Sequence, residues 1–308
     1  MLSVSDLRKS FNHTSAVEGI SFTVRRGEIF GLLGPNGAGK TTTIRMILDI
    51  LRPDGGRILF DGVPFSPATR DHVGYLPEER GLYRKGKVLE TVLYFAELRG
   101  MSRAHARVEA QRWLARFGLL DASVRHLEEL SKGNQQKVQF IVSVIHDPDL
   151  IILDEPFSGL DPLNQIIFKD AVQELKRREK AIIFCTHMMD HAEKLSDSLC
   201  LLNRGKIVLA GTVRGVKKAY GRNCLNVEYE GDGGFLDLLP GVQRIIRYEN
   251  AAEIELTPGA RPGDLIAQIN EAVEIRKVEL LEPSLHSIFI RLVGEGEPSI
   301  IPAHGGLA

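Results

Sequence analysis

Ile29 to Leu33 is an apolar run of strand length, and the apolar positions that follow it, Ile44, Ile47, Leu48 and Leu51, fall three and four residues apart. The first pattern predicts a buried strand and the second a helix with one apolar face, joined by a glycine-rich link. Leu150 to Leu153 repeats the buried-strand signal and stops at Asp154, Glu155 and Pro156. Between these segments Val88, Val92, Phe95, Leu114 and Phe117 keep helical spacing, so residues 88–130 read as an inserted helical arm. From Cys224 onward the runs are shorter: Cys224 to Tyr229, Phe235 to Leu239, Val242 to Tyr248, Glu253 to Leu256, Gly263 to Ala272, Val273 to Leu281 and Leu285 to Val293. Read as β-α-β-β-α-β with a trailing segment, they predict a small ferredoxin-like α+β domain.

Charge adds a boundary that hydrophobicity alone does not mark. The whole chain is nearly neutral, with 39 Lys plus Arg against 40 Asp plus Glu. Residues 1–222 nevertheless hold 33 basic against 26 acidic groups, and residues 223–308 hold 6 against 14. At roughly 100–200 residues per domain, 308 residues suggest two bodies, and the charge change sets domains at 1–220 and 221–293. Residues 294–308, rich in Gly and Pro without apolar periodicity, read as a mobile tail.

A membrane helix needs about 20 apolar residues, and Gln139, His146, Asp147 and Asp154 break the richest stretches well before that. Asp6, Arg8 and Lys9 leave no apolar stretch for a secretory signal, so the chain is expected in the cytoplasm. Cys185, Cys200 and Cys224 lack metal-ligand spacing and read as free thiols of a reducing compartment.

The link after Leu33 reads Gly34, Pro35, Asn36, Gly37, Ala38, Gly39, Lys40, Thr41, Thr42. Between a strand and a helix, the G-x-x-x-x-G-K-T spacing is a phosphate-binding loop. Small residues let successive N–H groups converge on an anion at a helix N-terminus. Lys40 adds a positive charge at the β- and γ-phosphates, and the Thr41 hydroxyl is placed for Mg²⁺. Asp154 and Glu155 stand at the end of a strand whose C-terminal edge is where open α/β sheets bind ligands. Asp154 reads as a Mg²⁺ partner and Glu155 as the group that polarises the attacking water.

The order of Phe11, Gly34 to Thr41, Leu130 to Asn134, Ile151 to Pro156, Ser158 to Asp161 and Thr186-His187 resembles the ATP-binding cassette of ABC transporters over about residues 1–215. The resemblance implies an α/β P-loop NTPase fold with a RecA-like core, an antiparallel β subdomain and the helical arm. It also implies ATPase activity with Mg²⁺, and dimerisation, because each ATP would be shared between Lys40 of one cassette and Ser131 of another. By the same resemblance Phe11 stacks on adenine, and Ser131 and Gly133 meet the γ-phosphate held by the opposite cassette. Asp161 lies in the loop that communicates across the dimer, and His187 is the switch histidine on the γ-phosphate.

The chain departs from the family pattern in reading Leu-Ser-Lys-Gly-Asn at the signature, with Lys132 and Asn134 replacing Gly and Gln. It also has Glu78 where most cassettes place Gln, a carboxylate able to approach Mg²⁺ but unable to donate a hydrogen bond. His187 and His191, four apart, lack the Glu and third ligand of a zinc site. By the same resemblance the helical arm and the Glu78 loop meet a membrane partner, which makes Tyr75, Leu82, Tyr83 and Tyr94 candidate contacts; packing of the arm on the core is the other reading of each. Arg99, Arg103, Arg107, Arg112 and Arg116 read as a solvated basic face, with lipid phosphates or nucleic acid as the alternatives, and no direct nucleic-acid binding is expected.

The ending from Glu282 to Phe289 is similar to the C-terminal extension of bacterial exporter ATPases of the sodium-extrusion and multidrug type. The expectation is therefore an ATPase subunit peripheral to the inner face of the membrane. It would work with a separate permease and with an identical or a different second cassette. The alternative is a soluble cassette ATPase acting on nucleic acid or ribosomes. Against it stand the short span from Gly39 to Leu130 and the single phosphate-binding loop.

Overall fold

In the computed structural model, which describes residues 1–12, 14–79, 81–220, 224–257 and 259–294, the chain divides between Ala210 and Gly211 into two units. The first runs β1 (Leu2–Phe11), β2 (Thr14–Val24), β3 (Ile29–Leu33), α1 (Lys40–Ile47), β4 (Gly55–Phe60), β5 (Val63–Pro64), β6 (Val73–Leu76), α2 (Val88–Leu98), α3 (Arg103–Arg116), α4 (Lys132–Val144) and β7 (Leu150–Asp154). It continues with α5 (Pro162–Arg177), β8 (Ala181–Thr186), α6 (Met189–Leu195), β9 (Ser198–Asn203) and β10 (Lys206–Thr212).

A six-stranded sheet ordered β10-β9-β3-β8-β7-β6 carries the site. β3 pairs in parallel with both β8 and β9, and β7 with both β6 and β8. Every residue of β3, β7 and β8 is buried. Parallel strands covered on both faces need apolar residues at every position, which is why these segments read as unbroken runs without alternation. A second, antiparallel sheet ordered β2-β1-β4-β5 shares its core with α1 and the larger sheet: Leu7, Val17, Ile20 and Phe22 join Ile44, Ile47, Ile152 and Ile183 in one cluster. The RecA-like core and antiparallel subdomain expected from the sequence are both present.

The helical arm expected at residues 88–130 holds α2 and α3, and with α4, which follows it, is joined to the core by rings. Phe140 of α4 lies 4.3 Å from Phe168 of α5 and 5.5 Å from Phe117, centroid to centroid. Trp113 of α3 closes the cluster edge-on to Phe140 at 5.8 Å. Such pairs contribute about 0.5–1.5 kcal/mol each beyond their burial. Arg99, Arg103, Arg112 and Arg116 are ion-paired with Asp71, with Glu90 and Glu97, with Glu109 and with Glu174 respectively. Four of the five arginines expected to form a basic face thus have carboxylate partners. Tyr83 and Tyr94 are exposed and Tyr75 is half-buried.

The second unit contains α7 (Val213–Ala219), β11 (Cys224–Glu230), a 3₁₀ turn over Gly233–Leu238, β12 (Val242–Arg247), β13 (Ala251–Leu256), α8 (Pro262–Ala272), β14 (Glu274–Leu281) and α9 (Leu285–Gly294). Its sheet is ordered β12-β13-β11-β14, with every described neighbour antiparallel. Each crossover therefore skips one strand, the split arrangement of the ferredoxin-like class. The first crossover is a 3₁₀ turn in place of an α-helix. Gly231, Gly233 and Gly234 interrupt that stretch and leave Phe235 to Leu239 too short for stable α-helical turns. Leu236, Ile254, Leu265 and Ile269 centre a core separate from that of the first unit. The tail expected from Gly294 onward lies, beyond that residue, outside the described residues. No described helix is long and apolar enough to cross a membrane.

Candidate nucleotide-binding site

β3 ends at the glycine loop, and two of its glycines are there because backbone passes where a side chain would be. Gly34 has φ +149°, and a Cβ on it would lie 2.3 Å from the Leu202 carbonyl. Gly39 has φ +103°, and its Cβ would meet the Ala16 carbonyl at 2.5 Å. Gly37, by contrast, faces open space on the exposed side of the loop. The loop is thus wedged between β2 and β9 at both ends and free in the middle. Helix α1 starts from Gly39 without a side-chain cap and without an acid in its first turn, so its leading N–H groups are left for a ligand. Lys40 is buried and its Nζ donates to the carbonyls of Gly34 (2.7 Å) and Pro35 (3.0 Å).

Across a concavity of about 350 Å³ lined by Ala16, Asn36, Gly37, Gly39, Lys40, Thr41 and Thr42 stand Glu78, Asp154 and Glu155. The sheet order explains the meeting: β8 lies between β3 and β7, so their C-terminal ends flank one edge. Asp154 is buried, and its Oδ2 has no hydrogen-bond partner. Burial pushes its pKa up; the Cys185 thiol draws it down, Glu78 and Glu155 add to the rise, and Lys40 opposes it. A buried carboxylate with an orphaned oxygen and two acidic neighbours is stabilised in its charged form by a cation. With the Thr41 hydroxyl in the same lining, the donor set is all oxygen, as Mg²⁺ requires.

Glu155 sits in the left-handed region at φ +46°, uncommon for a residue with a side chain. Its environment holds it there. Its N–H donates to the Cys185 carbonyl at 3.0 Å. The Thr186 hydroxyl donates to Oε2 at 2.9 Å and the His187 N–H to Oε1 at 2.9 Å, while His187 Nδ1 lies 2.6 Å from the same Oε1. Both carboxylate oxygens are therefore fixed by the end of β8, and His187 joins the site through Glu155. The ring of His191 is turned away onto Phe157, edge-on at 4.8 Å.

The remaining sequence-predicted residues do not line this concavity. Ser131 is the N-cap of α4, accepting from Asn134 N–H at 3.3 Å, and is exposed. Two residues on, a Cβ at Gly133 would touch the Gly159 carbonyl at 3.3 Å, so the signature packs on the loop leading to Asp161. Asp161 caps α5 through Asn164 N–H at 3.0 Å. Phe11, at the end of β1, is 46% exposed, with Lys9 Nζ 5.6 Å from its ring centroid. A surface aromatic of this kind does not serve the core.

Sequence reasoning missed Ala16, whose carbonyl walls the loop, and Thr186 as a holder of Glu155. It also missed Gln139 of α4, which donates from Nε2 to the carbonyls of Pro77 (3.4 Å) and Glu79 (3.1 Å), on either side of Glu78. Gln139 is one of several buried polar residues of α4, with Gln136, Lys137 and Ser143, and a buried amide needs a partner.

An uncapped helix behind a glycine loop, with a buried acid pair across from it, defines a P-loop nucleotide site. Residues 17–158 match the family model described as ABC transporter, and residues 211–293 match that of the ATP-binding protein DrrA1-3-like C-terminal domain. The ABC transporter ATP-binding protein YhaQ of Bacillus subtilis, itself uncharacterized, is 42% identical over 294 residues, covering 96% of this chain and 99% of its own. The Nod factor export ATP-binding protein I of a Rhizobium species is 34% identical over 301 residues, 95% of this chain and 97% of its own. A solved ATP-binding subunit of an ABC transporter superposes with a TM-score of 0.67 at 32% identity, over 71% of this chain and 93% of that one. The chain belongs to the ATP-binding proteins of ABC transporters, an ATPase family whose members pair as cassettes and work beside membrane permeases.

Proposed function

We propose that this chain is the ATP-hydrolysing subunit of an ABC exporter, acting as one of two paired cassettes on the cytoplasmic face of a separate permease. The observation that carries the reading is the single concavity in which the glycine loop, Lys40 and Thr41 face Glu78, Asp154 and Glu155. In the working site the N–H groups at the start of α1 hold the phosphates, and Lys40 exchanges its two carbonyl partners for phosphate oxygens. Thr41, Asp154 and Glu78 hold Mg²⁺, which when bound neutralises charge on the β- and γ-phosphates. Glu155, pinned by Thr186 and His187, orients a water and accepts its proton. His187, about half exposed, turns its free ring edge to the γ-phosphate, and Phe11 offers its face to adenine.

Ser131, Gly133 and Asp161 lie off the concavity and exposed or half-exposed, as groups do that serve ATP held by a second cassette, identical or not. Pairing around ATP and parting after hydrolysis would then drive the permease between two states, a ligand acting through its preference for one of them. Export is supported by the Nod factor relative, which spans the second unit as well as the first.

The test is Glu155→Gln in the full chain, tagged and purified with ATP from detergent extract. Turnover is expected to fall about 100-fold or more with ATP binding retained, as a dimer that carries a multi-span membrane protein in stoichiometric amount. Undiminished turnover would remove Glu155 from its role. Recovery of ribosomes or nucleic acid in place of a membrane protein would replace the transporter reading with that of a soluble machine.

A further inference from the structure

We infer that Gln139 is the positioning residue that sets Glu78 at the nucleotide, an inference that rests on the ATPase reading above. Glu78 is the position where this chain lacks the amide expected of its family. A neighbouring amide is supplied from another element: Gln139, 4% exposed on α4, donates to the carbonyls of Pro77 and Glu79. These are the peptide carbonyls bracketing Glu78, so one side chain holds the backbone on both sides of the acid while the acid itself stays exposed toward the concavity.

The element that carries Gln139 gives this contact its meaning. α4 begins at Ser131, and Gln139 stands eight residues further on, about 12 Å along the axis. Between them Gln135 donates to the carbonyls of Leu127 (3.0 Å) and Leu130 (3.1 Å), and Lys137 to that of Phe117 (3.1 Å). The helix is therefore bonded to the segment preceding the signature, to the end of α3 and to the Glu78 loop, and moves with all of them. A shift of its N-terminus on meeting the other cassette's nucleotide is delivered through Gln139 to the backbone of Glu78. An acid placed this way answers to α4 as well as to the cation it faces. Glu78 gains from outside the constraint that its own carboxylate, lacking a donor, cannot form.

The experiment is a double-mutant cycle in the full chain with Gln139→Met, which keeps the length and apolar packing of the side chain but loses both donated bonds, and Glu78→Ala. Steady-state hydrolysis gives kcat and KM for MgATP, and hydrogen–deuterium exchange reports residues 74–79. Gln139→Met is expected to lower kcat about tenfold with KM changed less than twofold, to change kcat less than twofold when Glu78 is already Ala, and to speed exchange at 74–79. The same fold-loss in both backgrounds, or unchanged exchange in that segment, overturns the inference. Absence of turnover in the unsubstituted chain would instead count against the ATPase reading, and the exchange rates alone would then decide whether Gln139 holds the loop.

Discussion

Helices α1 and α4 both begin at residues assigned above to ATP, and they begin in opposite ways. α1 starts uncapped, behind a glycine loop wedged against the Ala16 and Leu202 carbonyls, with a buried Lys40 and acids opposite. α4 starts with Ser131 already bonded to Asn134 N–H, in the open, with no acid in its first turn. The first terminus has its ligand's other contacts built into the same chain. The second has a satisfied cap, packs at Gly133 on the Gly159 loop, and lies off the concavity that the glycine loop lines. On the function proposed above, α1 is one half of a site and α4 the complement of a second cassette's, which would make the reaction depend on assembly.

The largest effect that separates the two should come from Lys40→Ala. A charge-assisted hydrogen bond is worth about 1.5–3 kcal/mol, so ATP affinity of the isolated chain should fall roughly 10- to 100-fold, measured by equilibrium binding of a fluorescent ATP analogue. Unchanged affinity would make α1 no more a nucleotide site than α4. Ser131→Asp sharpens the contrast from the other side. Asp caps a helix as well as Ser does, so the fold should keep its melting temperature, while a negative charge now stands where the proposed pairing would bring the second cassette's γ-phosphate. Turnover is expected to drop about tenfold or more with ATP affinity of the isolated chain unchanged; a parallel loss of affinity would mean that α4 serves its own chain's nucleotide.

The smallest effect concerns the far end of α4, where His146 follows the helix. Burial, aided by the charge of Arg99, lowers its pKa from 6.5 to about 4. The unfolded chain thus binds the proton more readily than the folded one between those values, and stability is lost as pH falls through that window. From pH 7 to 5.5 this costs about 1 kcal/mol, or about 2–4 °C in Tm. His146→Leu should remove that increment in a thermal melt at the two pH values, and an unaltered pH slope would clear His146 of it.

What the sequence disclosed follows the range of the interactions involved. The glycine loop and the Asp154-Glu155 pair are each set by a few adjacent residues, so spacing located them, whereas Ser131 and Asp161 were reached through the resemblance to the cassette family and their capping bonds only in the structure. Buried parallel strands announced themselves because both faces are covered. The clamp of Gln139 on the Glu78 loop joins residues about 60 positions apart, and the Thr186 bond to Glu155 spans 31; neither leaves a local trace. In the second unit the alternation gave the strands and α8, but the glycines that shorten the first crossover to a 3₁₀ turn outweighed the apolar spacing of Phe235 to Leu239.

The sheet order has a further consequence, for synthesis. β3 is made early, yet its parallel neighbours are β8 and β9, so Leu33 finds its partners only at Thr186 and Leu201. With translation at about 5–20 residues per second, this buried strand waits on the order of ten seconds, its apolar edges unpaired, before the residues that flank it exist. Pairings this distant close slowly and leave the growing chain open to wrong partners. The phosphate-binding loop is therefore among the first segments of this protein to be written and among the last to take its shape, and a nascent chain stopped short of residue 186 should already carry the motif yet lack the site.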